Sequence, residues 1–332
     1  MLADISFMVE IQHQNIVSIS RTKYAFAILQ QDGNVITWGL PAFGGDSSLV
    51  TDRLNNVIAI SGNYGSFAAL KRDGSVVTWG SSHDGGDSHV ISAELNNVVS
   101  ICANGFAFAA LRKDGSVVTW GARDTGGNSH AVAGQLHHIV SISCNSVAFA
   151  ALRQDGRVIT WGSAGNGGDS DAISGELNAI KLVCGSWHAF AGLRQDGSVV
   201  TWGSAEDGGD SRAVMAELYN VVSISANNKA FAALKSDGRV VTWGHESCGG
   251  DSFNVAHGLK NIVSIKGNGS AFAALRHDGC VITWGQADEG GDTYSIANGL
   301  TNIEAITACR GGFIAHKCDG TVIAWGRIMY DD

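Results

Sequence analysis

The stretch AFAALRKDGSVVTWG at residues 107–121 decides the fold. Its first five residues are apolar on both faces of an extended strand, and its last residues form a second β-branched strand that leads to Trp120. Between these strands, Asp114-Gly115 has the composition of a tight hairpin turn. A hairpin that is apolar on both faces cannot bury both by itself. It therefore needs a copy of itself on either side.

Such copies recur along the chain with a period of 41 residues. A Trp-Gly pair recurs without insertion or deletion at Trp38, Trp79, Trp120, Trp161, Trp202, Trp243, Trp284 and Trp325. Asp-Gly precedes each pair, and Gly-Gly-Asp-Ser or a close variant follows the first seven. Four strands in about 40 residues are typical of a propeller blade. The repeat predicts one all-β domain over 1–332, a β-propeller of eight blades; seven blades plus an extra repeat is the alternative.

Each blade is predicted to have four strands, as the unit 96–136 illustrates. Strand a covers 97–101, strand b 107–111 and strand c 117–120, while 130–136 is a candidate for strand d. The glycine-rich loop that starts at Gly126 has the freedom for positive φ. The eight Trp residues are interpreted as groups that pack between blades, since each lies in a strand expected to be buried.

The two chain ends suggest how a ring could close. The tandem repeats occupy 14–326, and the tail 327–332 is too short to supply a fourth strand. At the other end, Ile5, Phe7, Val9 and Ile11 alternate as in a β-strand. We expect 1–13 to pair with strand c of the last unit and to remove its exposed edge. Deleting 1–13 should then destabilise the protein strongly, whereas an open solenoid, the rival architecture, would only fray.

Composition limits the functional classes. The 332 residues carry a net charge of −9, which disfavours binding to nucleic acid. No apolar run is long enough to span a membrane. The seven cysteines include no CxxC pair, which favours free thiols in a reducing cytoplasm, with the nucleus as a second location, and gives no zinc pattern. We therefore predict neither a metal site nor a cofactor.

The motifs resemble those of a known family. Phe-Ala-Ala-Leu, Asp-Gly-Ser-Val-Val-Thr-Trp-Gly and the glycine-rich loop resemble the regulator of chromosome condensation repeat over about 14–326. The resemblance implies a β-propeller, usually of seven blades with longer repeats. The family's namesake is a nucleotide exchange factor for a small GTPase and binds chromatin, and other members bind partners within ubiquitin ligases or bacterial effectors. No catalytic position of the namesake can be matched here, and the unbroken spacing leaves no insertion for its β-hairpin wedge.

Two stretches vary between the copies, one between strands a and b and one between Trp-Gly and Gly-Gly-Asp. In an antiparallel meander both emerge at the same end, so they are predicted to share one face of the disc. The candidate binding residues are Tyr24, Tyr64, Phe106, Trp187, His188, Lys229 and Arg310 in the first stretch, and Asp84, Arg123, Glu206, Asp207, Glu246, Asp288 and Glu289 in the second.

Aromatic side chains among scattered charges fit a protein interface, so the sequence predicts a non-catalytic protein-protein interaction platform. The partner would be another protein, for example a small GTPase or a ubiquitin-pathway protein. Two alternatives stay open: an exchange factor for a small GTPase, and a multivalent carbohydrate-binding propeller, which would repeat one aromatic-polar pair in every blade. The sequence differences between the repeats at these loop tips could also reflect neutral variation without a binding function.

The remaining motifs are given structural interpretations. Only one Asp recurs in Gly-Gly-Asp-Ser, so it is interpreted as a cap of its own loop and not as a calcium ligand. His188 has no recurrent Ser, Cys or Asp partner, so no catalytic residues are predicted.

Overall fold

A computed structural model describes residues 15–294, 296 and 299–327, and in this part of the chain the strands form eight three-stranded antiparallel sheets. Each sheet has the order a-b-c and is one blade. The strands, numbered β1 to β24 along the chain, are Ile16–Arg21, Ala25–Gln30, Val35–Gly39; Val57–Gly62, Ser66–Lys71, Val76–Gly80; Val98–Ala103, Ala107–Arg112, Val117–Gly121; Ile139–Cys144, Ala148–Arg153, Val158–Gly162; Ile180–Gly185, Ala189–Arg194, Val199–Gly203; Val221–Ala226, Ala230–Lys235, Val240–Gly244; Ile262–Gly267, Ala271–Arg276, Val281–Gly285; and Ile303–Cys309, Gly312–Lys317, Val322–Gly326. The predicted eight-bladed, all-β propeller is thus confirmed.

The b–c hairpin forms as the sequence predicts. In blade 3, Phe108 lies opposite Trp120, and the two rings stack with their centroids 5.1 Å apart. Gly115 has φ +79° in the turn, a conformation that glycine adopts without a steric penalty. The Asp114 carboxylate accepts a hydrogen bond from the backbone N–H of Ser116 at 3.0 Å. This local bond fixes the turn and hence the register of the two strands.

The prediction of a fourth strand is wrong. Residues 130–135, within the predicted strand d, are a 3₁₀ helix. Thr119 donates from Oγ1 to Ser129 Oγ at 3.0 Å, which ties the start of this helix to strand c. The Asn128 side chain accepts from the His130 N–H and turns the chain there. The 3₁₀ segments are Pro41–Phe43, Ser48–Arg53, His89–Ile91, Arg123–Thr125, His130–Gln135, Ala164–Asn166, Asp171–Ile173, Ala205–Asp207, Met215–Glu217, Glu246–Cys248, Phe253–Val255 and Ala287–Glu289.

Neighbouring blades bury their apolar faces against each other. The face of blade 3 that carries Ala107, Ala109 and Leu111 packs on Phe149 and Trp161 of blade 4. The Trp161 indole N–H also donates to the carbonyl of Gly126 in blade 3 at 3.0 Å. Seven such clusters of buried residues join successive blades in the described part of the chain. The core is thus divided into sheet-to-sheet layers, as the two-faced hairpins require.

Backbone hydrogen bonds also cross every one of these seven interfaces. At the Asp-Gly turns, the N–H that opens strand a of one blade donates to the turn glycine of the blade before it, for example Ile139 to Gly115 at 2.9 Å. At the opposite face, the a–b connections form a ladder in which each N–H donates to the carbonyl 41 residues further on. The ladder runs through Lys23, Tyr64, Gly105, Ser146, Trp187, Asn228, Gly269 and Arg310.

The junction between blade 8 and blade 1, here called the seam, differs from the other seven. Ile19 and Phe26 of blade 1 are 59% and 39% exposed, whereas their equivalents Ile306 and Phe313 in blade 8 are buried. No cluster or ladder bond of the kinds above crosses the seam within the described residues. The proposed closing strand at 1–13 lies outside the described residues, so closure by this strand stays a prediction. Among the described segments, none is a helix long and apolar enough to cross a membrane.

Candidate functional site

The two variable stretches meet at one end of the blades, on a surface that we call the loop face. We keep the name c–d tip for the stretch between Trp-Gly and Gly-Gly-Asp, and a–b connection for the stretch between strands a and b. In each of the first seven blades, the first backbone N–H of the c–d tip donates to the a–b connection of the same blade. Examples are Ala122 to the Phe106 carbonyl and Ser204 to the His188 carbonyl, both at 2.9 Å. The Asp-Gly turns lie at the opposite end, which we call the turn face. The loop face is thus one continuous surface built from both stretches.

A buried side chain holds the two stretches together in most blades. Asn104 accepts at Oδ1 from the N–H groups of Phe106 and Ala107, at 2.9 and 2.8 Å, and donates from Nδ2 to the Thr125 carbonyl. Equivalent bonds to the c–d tip come from Asn63, Asn145, Asn227 and Asn268, and from the hydroxyls of Thr22 and Ser186. Sequence reasoning missed these residues, although an Asn that recurs just before a variable stretch was the available signal.

Aromatic side chains cross blades 1 to 3 in a contiguous row. We call this the aromatic row: Tyr24 meets Phe43 edge-on at 4.9 Å, Phe43 meets Tyr64 at 6.2 Å, and Tyr64 meets Phe106 at 5.4 Å between ring centroids. Tyr24 and Tyr64 are both exposed. Phe43, which enters the row from the c–d tip of blade 1, was not among the predicted site residues.

Lys23 is fixed over the same row. Its ammonium donates to the Tyr64 hydroxyl at 2.6 Å and lies 4.9 and 5.0 Å from the ring centroids of Tyr24 and Tyr64. The hydrogen bond to Tyr64 is the main cause of a raised pKa of Lys23. The cation and the two rings therefore form a preorganised, amphipathic patch.

A second cluster lies in blade 5. The rings of Trp187 and His188 are parallel to within 2°, with centroids 5.6 Å apart. His188 Nδ1 lies 2.7 Å from Oδ2 of the buried Asp207, which orients the imidazole. Trp187 is 46% exposed. In the described part of the chain no hydroxyl or thiol hydrogen-bonds this imidazole, so the pair supports the indole and does not form a nucleophile-base arrangement.

The remaining candidates differ in exposure. Asp84 and Asp207 were expected to reach a partner from the c–d tips, and this expectation is wrong because both are buried. Each is the fourth residue of its tip, and its backbone carbonyl is held by the a–b connection, so its side chain turns inward. Glu289 occupies the same position, and its buried Oε2 has no hydrogen-bond partner in the described residues. The exposed candidates on the loop face also include Arg123, Glu206, Glu246, Asp288 and Arg310, while Lys229 is half-buried.

The Asp of Gly-Gly-Asp-Ser caps its own loop. In blade 1 the Ser48 N–H donates to Asp46 Oδ1 at 2.9 Å. In blade 5 Asp210 accepts from both the backbone and the guanidinium of Arg212, which lowers the pKa of that carboxyl to about 2, with the side-chain bond as the larger cause. No group of three or more His, Cys, Asp or Glu side chains that could hold a metal occurs in the described part of the chain.

Comparisons with known proteins agree with the repeat. Residues 221–249, in blade 6, match the profile of the regulator of chromosome condensation (RCC1) repeat. This segment runs from strand a to the first glycine of the c–d tip, and its framework recurs in the other blades. No curated protein sequence matches the chain significantly.

Several solved structures are similar at low identity. The ectodomain of the receptor kinase CR4 from Physcomitrella patens is 15% identical, with a TM-score of 0.47 over 82% of this chain and 74% of that one. Prp20p from Saccharomyces cerevisiae, described with its binding to Gsp1p and histones, is 17% identical, with a TM-score of 0.46 over 95% and 83%. The computationally designed Ika8 protein is 14% identical, with a TM-score of 0.44 over 96% and 98%. Likenesses at this level do not bear on function.

Proposed function

We propose that the chain is a non-catalytic platform that binds another protein through the loop face, and the match of residues 221–249 to the regulator of chromosome condensation (RCC1) repeat is consistent with such a role. The aromatic row is the observation that carries this proposal. Tyr24 and Tyr64 expose large rings: Tyr64 is a member of the backbone ladder, and Tyr24 follows Lys23, the first member. Partly exposed tyrosines flanked by a fixed cation are typical of interaction hot spots, because little conformational entropy is lost when they bind.

The asymmetry of the loop face favours one large partner. Blades 1 to 3 present the aromatic row, blade 5 presents Trp187, and the tips of blades 5 to 7 expose Glu206, Glu246 and Asp288. A carbohydrate-binding propeller would repeat one aromatic-polar pair around the ring, and the described blades do not. A projecting element like the exchange-factor wedge is also absent among the described residues, where six of the seven c–d tips contain a three-residue 3₁₀ turn.

Affinity capture with matched variants tests the proposal. Tyr64→Ala and Trp187→Ala each remove an exposed ring from the loop face, and Lys113→Ala removes an exposed side chain from the turn face. We expect both loop-face variants to lose a shared set of captured proteins, with binding of a recovered partner weakened roughly thirtyfold for a hot-spot residue. Lys113→Ala should retain that set. If both loop-face variants keep every partner, the loop face is not the binding surface.

A further inference from the structure

A pocket opens on the loop face, among the ends of strands a and the a–b connections that follow them. It has a volume of about 510 Å³, within the range of small-ligand sites. We call it the mouth pocket; its lining includes Arg21, Trp187, Asn228, Gly269 and Arg310. These residues come from blades 1, 5, 6, 7 and 8. The pocket thus combines the first and the last blade, and no single repeat could form it.

Arg21 is an exception among its equivalents in the repeat. The other seven blades have a Gly, Ala or Cys at this position, namely Gly62, Ala103, Cys144, Gly185, Ala226, Gly267 and Ala308. At the three glycines successive blades approach closely: a Cβ built on Gly62 would clash with the Arg21 carbonyl of the blade before it, and a Cβ on Gly185 or Gly267 would clash in the same way. The other four positions carry only the short side chains of Ala or Cys. Arg21 itself borders the seam, where the described residues show no such approach. The long side chain is therefore accommodated at the junction where the described residues leave room for it.

The described lining of the mouth pocket carries two arginines and no acidic residue. Neither Arg21 nor Arg310 makes an ion pair within the described residues. Both arginines are exposed. Lys23, by comparison, is already engaged by Tyr64. Glu289 lies against Gly269 but is not one of the lining residues, so it weakens the positive potential without neutralising the arginines.

The acidic surroundings restrict which anion can enter. Glu206, Glu246 and Asp288 are exposed on the c–d tips, and the chain as a whole carries −9. A nucleic acid or another polyanion would bring many charges close to these carboxylates, whereas a single carboxylate would meet only the arginines, since screening acts over about 10 Å. Guanidinium groups bind carboxylates in a planar, bidentate geometry. The exposed indole of Trp187 adds an apolar surface beside them.

We infer that the mouth pocket binds one carboxylate of a peptide, with an adjacent aromatic residue stacked on Trp187. This inference rests on the proposed function, because the peptide would belong to the protein partner. Its carboxylate could come from a chain terminus or from a Glu side chain. Three short probes separate the sources: acetyl-Gly-Ser-Gly-Phe with a free C-terminal carboxylate, the same peptide as an amide, and acetyl-Gly-Ser-Glu-Phe-amide.

Titration of the full chain by calorimetry tests the inference. At least one carboxylate probe is expected to bind at least tenfold more tightly than the neutral amide, and the better of the two identifies the source. Arg310→Gln and Arg21→Gln should each weaken that binding at least tenfold. Arg310→Lys, which keeps the charge, should weaken it less, and Glu289→Gln should strengthen it. Arg123→Gln removes an exposed arginine of the loop face outside the pocket and is expected to leave binding unchanged.

Equal binding of the amide and carboxylate probes, or unchanged binding by folded Arg21→Gln and Arg310→Gln variants, would overturn the inference. A melting curve for each variant confirms that it is folded. The outcome can be separated from the proposed function. If the probes bind as expected but Tyr64→Ala loses no captured protein, carboxylate binding by the mouth pocket is supported and partner binding by the aromatic row is contradicted. If Tyr64→Ala loses its partners and no probe binds, the opposite holds.

Discussion

Blade 4 and blade 1 have nearly the same strand sequences, yet one has a buried face where the other has an exposed one. Phe149 is fully buried against blade 3, whereas Phe26, at the same position of blade 1, is 39% exposed. Trp161 donates to the Gly126 carbonyl, but Trp38 makes no such bond within the described residues. The hairpin is therefore specified locally, and its stability comes from the neighbour that precedes it, as in other repeat proteins.

The same contrast appears at the turn face. The ideal Cβ of Gly115 would meet the Cα of His138 in the next blade at 3.0 Å, because strand a of that blade donates its first N–H to this turn. At Gly320, the equivalent glycine of blade 8, no described residue lies within 4 Å. Among the described residues, the same sequence motif thus makes an interface at seven positions and no interface at the eighth.

The largest expected effect comes from the buried ring itself. Phe149→Ala should reduce the free energy of unfolding by about 3–5 kcal/mol, because it leaves a cavity between two sheets that cannot collapse. Phe26→Ala removes the same atoms from a partly exposed site and should cost less than about half as much. Urea denaturation of both variants measures the difference. Equal losses would show that blade 1 has a neighbour of its own, and that the seam is as tight as the internal junctions.

A smaller difference is expected at the turns. Gly115→Ala and Gly320→Ala both place an alanine at positive φ, which costs about 1–2 kcal/mol in each blade. Only Gly115→Ala also crowds the backbone of the next blade, so its loss should be greater by roughly 1 kcal/mol. The two variants are matched in sequence context, and thermal or urea unfolding compares them directly. A larger loss for Gly320→Ala would contradict an open turn in blade 8.

The fold could be predicted from the sequence because its signals are local and repeated. Asp114-Gly115 and Trp120 define a hairpin, and its recurrence every 41 residues predicts that copies of it pack side by side. Strand d was predicted wrongly because four strands are typical of a propeller blade and 130–136 was the segment left for the fourth. What decides between strand and 3₁₀ helix there is a pair of side-chain bonds, Thr119 to Ser129 and His130 to Asn128. Such bonds depend on where the chain returns in space.

The candidate site could be predicted in part. That the variable stretches share one face follows from antiparallel connectivity alone. Burial of Asp84 and Asp207 could not be predicted, because it depends on tertiary bonds that a buried Asn or Ser makes to the tip carbonyl. The mouth pocket was equally inaccessible to sequence reasoning. Arg21 and Arg310 are 289 positions apart in the chain, and only the arrangement of the blades in space brings them to the same pocket.

The smallest expected effect is one that internal and terminal blades share. The pKa of Asp114 lies below its ordinary value, mainly because the Ser116 hydroxyl and N–H donate to it. The pKa of Asp319 in blade 8 is lowered in the same way, mainly by the Thr321 N–H. A lowered folded-state pKa contributes stability that is complete above the unfolded value of about 3.9 and is lost as the pH falls through the folded value. The urea midpoint should therefore decline below about pH 4.

Substitution of either aspartate by asparagine tests whether this decline in stability at low pH is independent of the seam. Asp114→Asn and Asp319→Asn keep an oxygen that can accept the backbone N–H but cannot be protonated, so each variant should lose slightly less stability than the parent between pH 5 and pH 2.5. Both turns are closed by bonds within their own blade, and both carboxylates are exposed. The two variants should therefore reduce the loss of stability at low pH by the same small amount. If only Asp114→Asn reduces the loss of stability at low pH, that loss depends on the contact with the following blade and not on the turn itself. Internal and terminal blades would then differ in their electrostatics as well as in their packing.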